Sequence, residues 1–386
     1  MLRNGAASAP HRAARSIDAH PGSRYALKPA RSRHHKQARR DTMNQDWQAF
    51  IAARGGAVGD DGAAHFDAAP ADSNCALTDL SHLGLIAVGG PEAADFLQGQ
   101  VSNDVRELSD SHTQLSSHCS PKGRMLANFR LLRLRERLLL VLPRSQMEAL
   151  LKRLRMFKLR AQASIDDASD ALVCLGVIGD CAREPLAAGF GSLPEGDHDM
   201  VRSGEAALIR IAGPVPRYLF IGPAADAQAL WEGAAAAGAV EANPDIWALH
   251  DIRAGIPTVL PATADAFVPQ MANMQLIDGV SFHKGCYTGQ EVVARMQYLG
   301  KLKRRMYIAE VDTDTPPTAG DLLSAPGSTS EQGPGRVVDA RASAPGHWEL
   351  LVVAEIAAAE GDGLQLGDDG PLLRLRAPAY GFGDAA

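Results

Sequence analysis

His283-Lys284-Gly285-Cys286-Tyr287-Thr288-Gly289-Gln290-Glu291-Val292-Val293-Ala294-Arg295 is the stretch whose reading decides the rest of this chain. Thr288 and Glu291 have the Thr-x-x-Glu spacing of a capping box, in which each side chain satisfies a backbone N–H left over at a helix start. A helix is therefore predicted from near Gly289 through Met296. Gly285 and Gly289 flank the turn and admit backbone angles that other residues resist. Cys286 falls just outside the helix N-terminus, two residues after Lys284, where the helix dipole and an ammonium both favour a thiolate. Most free cysteines act as small buried hydrophobes. The glycines, the lysine and the cap weigh the other way and make Cys286 a candidate nucleophile or redox thiol. Lys284 is a candidate to stabilise that thiolate or to hold an anion. Tyr287 either stacks on a planar ring or packs, and packing is the commoner use.

The chain has 386 residues, enough for two or three domains with sizeable cores. No apolar run reaches membrane-span length, so no membrane partner is expected. The five cysteines, at 75, 119, 174, 181 and 286, contain neither a Cys-x-x-Cys pair nor a zinc spacing. An odd number without a framework fits a reducing compartment and argues against a self-held iron–sulfur cluster, which takes four thiolates. The net charge is −6, but residues 1–42 hold ten Lys/Arg against two Asp/Glu, so this +8 leaves −14 for the remainder. An acidic body disfavours nonspecific nucleic-acid binding.

Residues 1–42 lack apolar periodicity and read as a disordered basic extension. A transit peptide, a nucleic-acid-binding arm and an over-extended reading frame compete as explanations. The last is favoured, with translation starting at Met43, because the segment lacks an amphipathic stripe. Trp47, Phe50 and Ile51 then mark one face of a helix. Pro91 opens a short helix with Phe96 and Leu97 inward. Asn103-Asp104 follows it and reads either as a turn or as part of a site. His118–Arg124 reads as a hairpin turn, followed by strands over Met125–Arg135 and Leu138–Leu142. Ser145–Glu148 has a second capping-box spacing, opening a helix with Met147, Leu150, Leu151, Leu154 and Phe157 inward. Its outer face carries Lys152, Arg153, Arg155 and Lys158, a solvated surface or, less favoured, a polyanion contact. Leu172–Ile178, Ala206–Ile211 and Tyr218–Ile221 read as strands and 182–205 as a connection. Helices are predicted over Ala224–Ala237 and from Asn243-Pro244 to Gly255. Four short strands between residues 304 and 376 suggest a small antiparallel barrel or sandwich.

Lys284-Gly285-Cys286-Tyr287-Thr288-Gly289-Gln290-Glu291 resembles the signature of the YgfZ-type folate-binding proteins. These are relatives of the glycine-cleavage aminomethyltransferase that assist maturation or repair of iron–sulfur proteins. Phe267–Met274 and Ala254-Gly255-Ile256-Pro257 extend the resemblance, which covers the chain from about residue 75 onward. It implies an α+β, three-domain aminomethyltransferase-like (GcvT-like) fold around a central channel, ending in a C-terminal β-barrel domain. The expected division is 43–168, 169–299 and 300–386. The cofactor it implies is tetrahydrofolate or a derivative, and the partners are folate and iron–sulfur client proteins. On this reading Cys286 is the catalytic thiol, and Lys284, Tyr287, Gln290, Asn103, Asp104 and Asn128 are cofactor-binding candidates. Gln290 either meets a pterin edge or faces solvent. Two departures argue against aminomethyl transfer. Asn128 is neutral where the transferases carry an acid, and an amide cannot serve as a carboxylate base. Arg217–Gly222 also lacks the acid of their middle-domain folate loop. The expected function is a tetrahydrofolate-binding accessory factor for iron–sulfur proteins, cytoplasmic in a bacterium, with a mitochondrial matrix location as the lesser alternative. A one-carbon transferase using Asp104 and an RNA-binding module of tRNA modification are the rivals.

Overall fold

The computed structural model describes residues 43–67, 69–326, 333–361 and 363–382. The basic extension over 1–42 lies outside these residues. Three sheets meet on one shared core. The first is antiparallel and orders its strands Gln114–Cys119, Met125–Leu134, Arg137–Pro143, Leu83–Gly89 and Ser164–Asp167. The middle sheet orders Met200–Ser203, Ala206–Ile211, Arg217–Gly222, Val173–Ile178, Ala76–Asp79 and Val240–Ala242, with only the last pair parallel. Ala76–Asp79 thus enters the middle sheet before the first sheet is built. The third sheet holds Gln365–Leu366, Leu322–Ser324, Gly335–Ala344, His347–Glu355, Arg304–Asp312 and Arg374–Arg376. It is antiparallel and curls into a half-barrel. Register irregularities at Val337/Asp339 and Ala342/Ala344 bend its long strand, as bulges do.

The common core joins Leu85, Leu132 and Leu139 of the first sheet to Ile178, Ile209 and Ile221 of the second and to Met306, Ile308 and Leu351 of the third. Smaller cores fill the outer side of each sheet. The Gln45–Ala53 helix closes the middle one through Trp47 and Ile51, while Phe50 is only half-buried. The Trp47 indole N–H donates to Asp79 Oδ1 at 2.8 Å, and the Ala64 N–H donates to Asp79 Oδ2 at 2.7 Å. The buried Asp79 carboxylate is therefore fully engaged, although burial pushes its pKa up.

Several sequence expectations change. The Arg144–Lys158 helix starts earlier than the box requires, with Pro143 as N-cap and no side-chain cap, so Ser145 lies inside the first turn. The Ser145–Glu148 capping box does not form. Phe157 is exposed rather than inward. The 182–205 connection contains a helix, Arg183–Phe190, and a strand, Met200–Ser203. Leu186 is that helix's one buried side chain, too little to show as periodicity. Two of the basic side chains on the Arg144–Lys158 helix serve the fold: Arg155 donates twice to the Ile165 carbonyl and Arg153 donates to His118.

The cysteines also depart from expectation. Cys75 and Cys181 form a disulfide across 106 residues of sequence. The pairing Ala76↔Ile178 brings the residue before one strand beside the turn after the other. Sequence spacing alone does not expose that proximity. Cys119 and Cys174 remain buried thiols, pushed up to about 12 by burial, and Cys286 is exposed. Reduction of the disulfide, or Cys75→Ala, should destabilise the protein by about 2–4 kcal/mol, measured by urea unfolding. An unchanged midpoint would contradict the bond.

Candidate functional site

The Lys284 turn is built around a buried ammonium. Lys284 is 7% exposed, and its Nζ donates to the carbonyls of Gln98 at 2.8 Å, Val101 at 2.6 Å and Asn103 at 2.8 Å. An ammonium has three N–H donors, so all are taken. Burial pushes its pKa down to about 8, against the pull of Asp104, and at neutral pH the charged form predominates. The acceptors belong to the segment leaving the Ala93–Gln98 helix, where a chain has carbonyls without intrahelical partners. Lys284 satisfies them and ties the turn to the 98–103 segment.

Asn103 and Asp104 belong to the same seam. Asn103 Nδ2 donates to Leu115 O at 2.9 Å and to Asp278 O at 2.6 Å, while its Oδ1 accepts from the Asp104 N–H. Asp104 caps the Val105–Glu107 turn, accepting from the Arg106 N–H and from Gln98 Nε2 at 2.9 Å. Ser102 adds a bond to Gly279 O at 2.9 Å. Of the two readings of this pair, the hydrogen bonds support the turn.

Beyond Lys284 the motif folds as a tight turn. Tyr287 is buried, and its ring centroid lies 5.0 Å from Lys284 Nζ, so it packs under the ammonium. Burial pushes its hydroxyl pKa up. Gln290 Oε1 accepts from the Tyr287 N–H at 3.3 Å. The helix runs Gln290–Tyr298 with Gly289 as N-cap and no side-chain cap, so the Thr288–Glu291 box is absent. Gly289 has φ +84°, and a Cβ there would stand 2.4 Å from Ser120 O. Both the angle and the close approach demand glycine. Gly285 carries neither constraint: its surroundings are open and its φ is not positive. Cys286 projects from this locked turn into solvent. The Lys284 ammonium is committed elsewhere and leaves it no donor. The sequence pairing of these two residues as a thiolate and its counter-ion is therefore not what the structure builds.

Asn128 lies in a different place, on the wall of a 150 Å³ cavity between the three sheets. Its Nδ2 donates to Pro257 O at 2.7 Å and its Oδ1 accepts from the Val259 N–H at 2.7 Å. These bonds clamp the 257–259 loop. Arg130, two residues along and on the same strand face, lines the cavity with Asp251, Asp339, Arg341 and Trp247. Asp251 pairs with buried Arg217 at 2.8 Å, and Asp339 pairs with Arg341 at 2.5 Å. Arg341 also reaches Asp245 at 3.1 Å, on the wall of an adjoining 930 Å³ cavity. His82 lines both cavities and is held neutral by burial, at about 4. Sequence reasoning missed these groups. The available signal was parity: Arg130 shares the inward face with Leu132 and Leu134.

Among the described residues no cluster of His, Cys, Asp or Glu could hold a metal ion, and no helix is long and apolar enough to cross a membrane.

Lys284→Met would leave three buried carbonyls without a donor, at a cost on the order of 3 kcal/mol. Urea unfolding should show the loss, and a wild-type midpoint would contradict the latch.

Comparison with known proteins agrees with this architecture. Residues 63–225 match the family model described as the GCVT N-terminal domain. The chain is similar to the tRNA-modifying protein YgfZ of Colwellia psychrerythraea, 36% identical over 247 residues, 64% of this chain and 75% of that protein. It is likewise similar to the tRNA-modifying protein YgfZ of Serratia proteamaculans, 35% identical over 278 residues, 72% of this chain and 83% of that one. The glycine cleavage system aminomethyltransferase T from Bartonella henselae has the same fold: TM-score 0.58, 18% identity, covering 80% of this chain and 87% of that structure. On the identity and coverage shared with these relatives, the chain belongs to the YgfZ family, on an aminomethyltransferase-like fold.

Proposed function

We propose that this protein is a tetrahydrofolate-binding accessory factor for the assembly or repair of iron–sulfur proteins, acting in the bacterial cytoplasm through the thiol of Cys286. The observation that carries the proposal is the division of labour within the motif. Lys284, Tyr287, Gly289 and Gln290 are all engaged in holding the turn, whereas Cys286 is held outward with nothing packed over it. A structural cysteine would be buried. An exposed thiol on a rigid turn is suited to meeting another protein.

The cavities fit a folate in size and in donor set. A ligand of this size occupies several hundred Å³, and the outer cavity alone has 930 Å³. Met147, Leu151, Ala248 and Leu260 give it an apolar part for a ring, and charged side chains such as Arg144, Lys152 and Arg155 give it cations for the carboxylates of a glutamyl tail. Tetrahydrofolate, when bound, supplies a carrier for one-carbon units. Asn128 is neutral and clamped to the 257–259 loop, so no carboxylate stands at that position to act as a base. This supports an accessory role over aminomethyl transfer.

The name carried by the relatives favours a second reading, a part in tRNA modification. Such a part can be direct, on the RNA, or through an enzyme that modifies it. The acidic body and the use of Arg153 and Arg155 within the fold weigh against direct RNA contact. The indirect route is compatible with service to an iron–sulfur enzyme.

Cys286→Ser should leave the unfolding midpoint unchanged, since the side chain is exposed, and should reduce support of iron–sulfur enzyme activity by at least about tenfold, as loss of an essential nucleophile does. The readout is client activity in cells dependent on the variant. Client activity equal to wild type would remove the thiol from the proposal.

A further inference from the structure

The inner cavity contains one charge that the protein leaves without a counter-ion. Arg130 is 7% exposed, and its Nη1 donates to Thr113 Oγ1 at 2.9 Å and to His198 Nδ1 at 2.8 Å. His198 can accept because burial holds it neutral, at about 3. No carboxylate lies within ion-pair distance of Arg130 among the described residues, and Asp251 and Asp197 act on it only from farther away. Its Nε and Nη2 have no acceptor among those residues either, and the side chain borders the cavity. A buried guanidinium with neutral partners only and two nitrogens unused is costly, so such a group points to a ligand acceptor.

The other walls have the opposite character. Asp251 and Asp339 each use one carboxylate oxygen on an arginine, through Oδ1. Oδ2 of each has no donor among the described residues. The cavity therefore offers donors on the Arg130 side and acceptors from the helix and the C-terminal sheet. A glutamyl tail, a chain of acceptors in a 150 Å³ space, would answer Arg130 but leave the free oxygens of Asp251 and Asp339 short of donors. A pyrimidinone ring bears a carbonyl acceptor on one edge and an amino group and ring N–H on another, and it matches both sets.

We infer that Arg130 is the specificity-determining residue of the inner cavity, donating to the 4-carbonyl oxygen of the pterin while the Asp251 and Asp339 carboxylates meet its 2-amino edge. The inference rests on the folate reading above and adds the residue that reads the ring.

The test compares tetrahydrofolate with its 2,4-diamino analogue, in which the 4-carbonyl acceptor is replaced by a donor. The wild-type chain should prefer tetrahydrofolate by about 30-fold, the span of one charge-assisted hydrogen bond. Arg130→Met should lose about the same factor for tetrahydrofolate and should no longer distinguish the two ligands. Wild type that binds both ligands equally overturns the role of Arg130 and leaves folate binding intact. Wild type that binds neither removes the folate reading and this inference with it. Arg130→Met that folds and retains the preference also overturns the inference. If thermal unfolding shows that the variant does not fold, the wild-type preference alone decides.

Discussion

One buried ammonium holds the motif in place. Lys284 gathers three carbonyls from a segment more than 180 residues earlier in the chain. Without it those carbonyls would lie buried without donors, a state folded proteins rarely tolerate. The turn that follows inherits its position from this contact. Tyr287 packs beneath the ammonium, and Gly289 seats its backbone against the Ser120–Gly123 turn. The adjoining stretch completes the connection: Gln270 donates to Val293 O at 2.6 Å, and Asn273 donates to Met306 O at 2.8 Å. The motif helix, the first sheet and the third sheet are thus braced together within a few residues of Cys286.

The same packing leaves a polar space between the sheets. In a folded interior the rule is that charges pair, and Asp251, Asp339, Arg217 and Arg341 obey it. Arg130 does not. The neutral Asn128 beside it has exchanged any catalytic use of that position for a clamp on Pro257 and Val259. On the proposed function the cavity would serve recognition of the ligand, while the Cys286 thiol, which is exposed, would serve the chemistry at the surface.

Sheet periodicity and helix stop signals were well legible in the sequence. The Ala206–Ile211 strand and the left-handed Gly255 at the helix end stand as predicted. Capping boxes were less so, since spacing shows that a cap can form but not whether another partner wins. Pro143 and Gly289 hold the N-cap positions, which leaves Ser145 inside its helix and Thr288 outside its own. Lys284 was visible as a special residue but was assigned to Cys286, its sequence neighbour, whereas its partners are distant in sequence. Cys75–Cys181 was hidden for the same reason, because only strand pairing makes the two adjacent. Arg130 was legible in principle, as a charge at an inward parity, but its significance depends on the absence of a carboxylate nearby, a three-dimensional fact.

The most direct measurement is calorimetric titration of the full chain with reduced tetrahydrofolate under anaerobic conditions. Saturable one-to-one binding is the result this account predicts, with the ligand in the cavity between the three sheets. No heat of binding up to millimolar ligand would contradict it and would leave the Cys286 turn as a protein-contact surface on a fold without a folate.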